Sequence, residues 1–144
     1  NHEYVVAYGV RLVHEFFKGK EHPKRMWSVI STGVLSRTLQ IALPNTEFFN
    51  VAVSRNIQQG DLGRANFMSY HKAFNQKSDI IPESFDCENA YDSKGWDYMT
   101  RFGKEGDWFF NVAGNAPETS LLEEEVDSYR DWRDLRDFKK YLNK

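Results

Sequence analysis

The chain predicts an α/β layered domain, a mostly parallel sheet flanked by helices, with a C-terminal amphipathic helix added to it. Two observations carry this expectation. Short apolar runs at Met26–Ile30, Phe48–Val53 and Asp107–Ala113 alternate with segments of helical period, the pattern of strands joined by helical crossovers. The first run also passes through a small-residue turn, Ser31-Thr32-Gly33, straight into a helical segment.

Each element has its own signal. Glu3 to Lys18 carries Val6, Gly9, Val13 and Phe16 on one stripe, widened by Val5, Leu12 and Phe17, and Gly19 follows where a C-terminal cap is expected. After His22-Pro23 comes the first strand, then a helix from Val34 to Leu43 that Pro44-Asn45 stops. Phe48–Val53 is rich in aromatic and β-branched residues and reads as the second strand. Asn56 to Gly63 is polar with two glycines and reads as a loop, and Arg64 to Phe74 as a short helix. Lys77 to Asn89 is irregular, Tyr91 to Phe102 a helix, and Asp107–Ala113 the third strand. Leu122, Val126, Tyr129, Trp132, Leu135, Phe138 and Leu142 recur every three or four residues in a charged helix, opened by a Ser120/Glu123 capping box. The expected division is residues 1–119 as the α/β domain and 120–144 as a helical extension.

Composition narrows the function classes. The chain has 144 residues, 40% hydrophobic and 15% aromatic, enough to bury a core. A net charge of −2 without a basic face argues against nucleic acid as a partner. No apolar run reaches the roughly 18 residues of a membrane span. The single cysteine, Cys87, excludes an internal disulfide and fits a reducing compartment, so the expected location is cytoplasmic. The first residue is Asn1, which suggests a processed product or a fragment.

The motifs are few. A strand, a tight turn and a helix start in that order aim free backbone N–H groups and the positive helix end at one point, an anion site usually filled by phosphate. The plainer reading is a common connection in which Ser or Thr caps the helix. Neither a Walker loop nor a dinucleotide fingerprint is present. In Tyr91-Asp92-Ser93-Lys94, Asp92 suits a helix N-terminus and Tyr91 suits packing; alternatively the pair serves a basic ring nitrogen and a substrate. His2, His14, His22 and His71 form no metal pattern, and no nucleophile elbow occurs.

In order, these pieces resemble the C-terminal half of fold-type II pyridoxal-phosphate enzymes, nearest to the 1-aminocyclopropane-1-carboxylate deaminase and D-cysteine desulfhydrase branch. The likeness covers Glu3 to Asn115. It implies that the family's glycine-rich phosphate loop falls on Ser31, Thr32, Gly33, Val34 and Leu35, with Ser31 and Val34 departing from the family pattern. It sets Tyr91 toward the substrate as the catalytic residue and Asp92 opposite the pyridine nitrogen. It also sets Asn111 and Gly114, in Asn111-Val112-Ala113-Gly114, at the cofactor edge. The lysine that carries the cofactor in this family lies in an Asn-Lys-x-Arg segment of the N-terminal half, which this sequence lacks; the family's Ser-x-x-Asn substrate loop is absent too. Lys94 does not fill the lysine's role. The resemblance therefore implies the pyridoxal-phosphate-binding part of a lyase or deaminase acting on a small amino acid. Its partner is a second copy or a complementing N-terminal half. Two other readings stand beside it: a non-catalytic module docking through residues 120–143, and a phosphosugar or nucleotide enzyme using the same turn.

Overall fold

A computed structural model describes residues 3–54, 57, 59–112 and 114. The expected C-terminal helix and its capping box lie outside them, as do Asn1 and His2. The elements are α1 (Glu3–Phe17), β1 (Arg25–Ile30), α2 (Val34–Ala42), β2 (Glu47–Ala52), α3 (Gln59–Leu62), β3 (Asn66–Ser69), α4 (Asp92–Phe102) and β4 (Trp108–Phe109).

The four strands form one sheet in the order β3-β2-β1-β4, and every neighbouring pair is parallel. The α/β expectation therefore holds. β1 lies in the centre, with Arg25 to Ile30 opposite Glu47 to Ala52 on one side and Met26-Trp27 opposite Trp108-Phe109 on the other.

Side chains alternate across the sheet, so each strand feeds two cores. On one face Met26 and Phe48 pack with Val13 and Phe17 of α1 and Leu39 and Ala42 of α2. On the other, Trp27 and Val51 meet Tyr70, with Tyr98 and Met99 of α4 against them. Trp27 and Phe48 are 1% and 0% exposed, and each buried ring of this size contributes roughly 2–3 kcal/mol. Both faces of β1 are therefore covered, which explains its unbroken apolar run.

Within the first core face a polar chain is fully paired. The Ser28 hydroxyl donates to Asn50 Oδ1 (2.9 Å), Asn50 Nδ2 donates to Ser36 Oγ (2.5 Å), and Gln40 Nε2 donates to the same oxygen (2.8 Å). It ties β1 and β2 to α2, and unpairing any member would leave a buried donor or acceptor at a cost of about 1–3 kcal/mol.

Three expectations are corrected. Arg64 to Phe74 is not a helix; it contains β3, which pairs with β2 from Phe49–Asn66 to Ala52–Ser69. The Asn56–Gly63 loop contains the one-turn helix α3. The third strand is two residues long: Trp108 and Phe109 are in register with β1, and the Phe110 N–H adds a last bond to Trp27 O at 2.9 Å.

Candidate functional site

From β1 the chain passes through α2 to β2 on one side, whereas β4 lies on β1's other side. β1 is thus a switch point of the sheet, and the carboxyl end of a strand at such a point is the usual ligand position in open α/β sheets. The turn Ser31-Thr32-Gly33 stands at this point.

Gly33 holds the turn's tight corner. It is the N-cap of α2 with φ 83°, and no side chain caps the helix. The reading in which Ser31 or Thr32 caps α2 is thereby overturned. No non-glycine residue among those described has positive φ, so Ser31 holds its place in the turn without left-handed strain. The first amides of α2, from Val34 and Leu35 onward, have no intrahelical acceptor by geometry. The first turn carries no acidic residue of its own, but Asp61 of α3 lies against it, its Cβ 2.9 Å from a Cβ built on Gly33 and its carboxylate 4.0 Å from Arg37.

Tyr91 and Asp92 reach the same end of the sheet from the opposite face. Tyr91 Oη donates to Ser31 Oγ at 3.0 Å across sixty residues of sequence. Burial raises the phenol's pKa first of all, the Ser31 bond opposes this, and nearby Asp92 adds to the rise. Asp92 opens α4 fully buried, and its Oδ2 accepts the Val112 N–H at 3.1 Å. The strand end after β4 therefore meets the carboxylate through its backbone. The Asn111 amide is turned elsewhere, donating to Asp86 O at 2.8 Å on an exposed surface.

Lys94 is fully buried and donates to Ala73 O (2.8 Å) and Phe74 O (3.0 Å). Burial lowers its pKa. Its amine pins the 73–74 wall and is committed to those carbonyls.

The sequence carries no sign of that wall. A cleft of about 460 Å³ opens at the carboxyl ends of β2 and β3, lined among others by Val53, Ser69, Tyr70, His71 and Phe74. It adjoins the turn, since Val53 N–H donates to Ile30 O, and Phe74 meets the Tyr91 ring edge-on at 6.3 Å. Behind it Tyr70 Oη donates to Asp97 Oδ2 (2.6 Å), and His71 Nε2 pairs with Asp79 (2.8 Å) beside Lys72. Burial and then Asp97 raise the Tyr70 pKa, while Lys72 foremost lowers that of Asp79. Only a strand ending at Ser69 would flag these residues, and by its spacing that stretch reads as helix.

Among the described residues no cluster of His, Cys, Asp and Glu could hold a metal ion, and no helix is long and apolar enough to cross a membrane. Comparison with protein-family models, curated proteins and solved structures gave no match.

Proposed function

We propose that the carboxyl end of β1 anchors the phosphate of pyridoxal phosphate. The chain is then the cofactor-binding part of a lyase or deaminase acting on a small amino acid in the cytoplasm. The observation that carries this reading is the Tyr91–Ser31 hydrogen bond. It joins two motifs sixty residues apart beside a helix start that no side chain caps.

The residues fit two of the three requirements of that cofactor. The amides of the turn and the first turn of α2 suit a dianionic phosphate. The buried carboxylate of Asp92 suits a protonated ring nitrogen, which it would hold in the charged form. The third requirement, a free lysine, is not met by Lys94, whose amine is spent on Ala73 and Phe74. Catalysis then needs a lysine other than Lys94.

When bound, the cofactor supplies an electron sink for a substrate carbanion. This chain's residues do the rest. Gly33 shapes the phosphate turn, Asp92 keeps a proton on the ring nitrogen, and Tyr91 presents its hydroxyl to the substrate side. The raised pKa of Tyr91 keeps that hydroxyl protonated and able to donate at neutral pH.

Equilibrium dialysis of the purified chain against pyridoxal phosphate, pyridoxal and inorganic phosphate tests the reading. The phosphorylated form should bind at least about tenfold more tightly than pyridoxal, since charged hydrogen bonds contribute about 1.5–3 kcal/mol each. Inorganic phosphate should compete with it. Absence of pyridoxal phosphate binding, or equal binding of both aldehydes, overturns the assignment.

A further inference from the structure

We propose that the apolar groove between α1 and β4 is the seat of residues Leu122–Trp132 of this same chain, docked as an amphipathic helix. The groove encloses about 430 Å³ and is lined among others by Leu12, Phe16, Trp108, Phe110 and Asn111. Three of its large side chains stay open to solvent: Leu12 is 53% exposed, Phe16 55% and Trp108 41%. β4 is an edge strand of two residues, so the groove's far wall is short and its floor is the apolar face of the sheet.

Chemistry, charge and connectivity point to one occupant. Written as a helix, Leu122, Val126 and Tyr129 fall at i, i+4 and i+7 and share a face, with Trp132 beside them. The other face carries Glu123, Glu124, Asp127 and Asp131, while Glu125 falls at the edge of the apolar face between Tyr129 and Trp132. At the edge of the groove Lys20 Nζ lies 3.8 Å over the ring of Phe16, one of its lining residues. An acidic flank beside Lys20 orients the segment as its apolar face fills the groove.

The chain also arrives at the right place. Asn111 lines the groove, and Leu122 follows within a reach of about 36 Å for eleven extended residues. α1 itself spans only about 22 Å. A tethered segment competes at an effective concentration near millimolar, which a second copy at micromolar concentration does not match.

Paired cysteines in the full chain decide it. Leu12→Cys is combined in turn with Leu122→Cys, Val126→Cys or Tyr129→Cys, and with Asp127→Cys as the opposite-face control; native Cys87 is buried and stays out of the reaction. Under mild oxidation one same-face pair should close within a monomer at least tenfold faster than the Asp127 pair. Equal rates, or disulfides only between two molecules, overturn the proposal; the latter would put a second copy in the groove. Independently, Phe16→Asp should speed tryptic cleavage at Arg130 and Arg133 at least tenfold with an unchanged circular dichroism spectrum. An unchanged cleavage rate overturns it as well. Should Phe16→Asp fail to fold, the cysteine pairs alone separate the outcomes.

Discussion

Gly95 lies so close to Val29 that a Cβ built on it would sit 2.6 Å from Val29 Cγ2, and 3.0 Å from Phe109 Cε2. The first turn of α4 is therefore pressed onto β1 and β4 together. That contact carries Tyr91 and Asp92, at the helix start, to the carboxyl end of β1. In Gly95→Ala two effects compete. Alanine is favoured inside a helix by about 1 kcal/mol, but overpacking against a β-branched core residue costs about 1–3 kcal/mol. Crowding wins, because Val29 is 1% exposed and has nowhere to move. Urea unfolding should show a net loss of up to about 2 kcal/mol. Gly60→Ala, where a Cβ meets nothing within 4 Å, should be neutral or slightly stabilising.

Gly33→Ala separates conformational cost from contact. At φ 83° an L-residue loses about 1–2 kcal/mol, and the added Cβ would stand 2.8 Å from Asp61 O. Gly19→Ala carries the first penalty alone, since φ is 71° and nothing lies within 4 Å. Gly33→Ala should therefore destabilise by at least about 1 kcal/mol more than Gly19→Ala. Phosphate affinity measured by calorimetry should fall only for Gly33→Ala.

How far the sequence reveals this architecture depends on burial. β1, α2 and β2 are legible because their side chains face a core on a regular period. β3 is not: Asn66, Phe67 and Ser69 are exposed and only Met68 is half-buried, so the edge strand shows no apolar run. Arg64 and the residues after it then match a helix as well as a strand. The turn is legible as an anion site, but its cap is not, since Ser31, Thr32 and Gly33 are all good N-caps and only backbone angles choose among them. That Tyr91 and Asp92 belong with Ser31 follows from motif order alone. No spacing rule joins residues sixty positions apart. The Tyr70–Asp97 and His71–Asp79 pairs stay hidden for the same reason.

Asp107 governs acid stability at the opposite end of the sheet. Its side chain is 3% exposed, and it accepts Arg25 Nε at 2.7 Å and Trp27 Nε1 at 2.7 Å. Burial alone would raise the carboxyl's pKa. The bonds from Arg25, the Lys104 N–H and Trp27 outweigh it and hold the pKa below the usual 3.8. A carboxylate depressed in the folded state stabilises above its unfolded pKa, and that stability drains away as pH falls through the folded value. Wild type should therefore lose stability progressively below about pH 4, and Asp107→Asn should show a shallower acid slope. At pH 7 the variant should be less stable by about 2 kcal/mol, the scale of a hydrogen-bonded buried charge. Tryptophan fluorescence in urea at several pH values measures both.

Asp92→Asn distinguishes the two roles proposed for the carboxyl end of β1. Asparagine keeps the shape, and its Oδ1 can still accept the Val112 N–H that Asp92 Oδ2 accepts at 3.1 Å, so α4 and the turn at Ser31 should hold their places. What disappears is the negative charge, worth about one to three pKa units to a basic nitrogen in contact with it. With pyridoxal phosphate bound, the pH at which its absorbance reports loss of the ring proton should drop by about that amount. Competition by inorganic phosphate should change less than about threefold, because the amides at Gly33 and Val34 are untouched. If both quantities fall together, Asp92 is a structural anchor for the Val112 backbone, and the ring-nitrogen role is lost. If the ring proton's pKa does not move while phosphate still binds, the nitrogen lies elsewhere, and the turn recognises the phosphate alone.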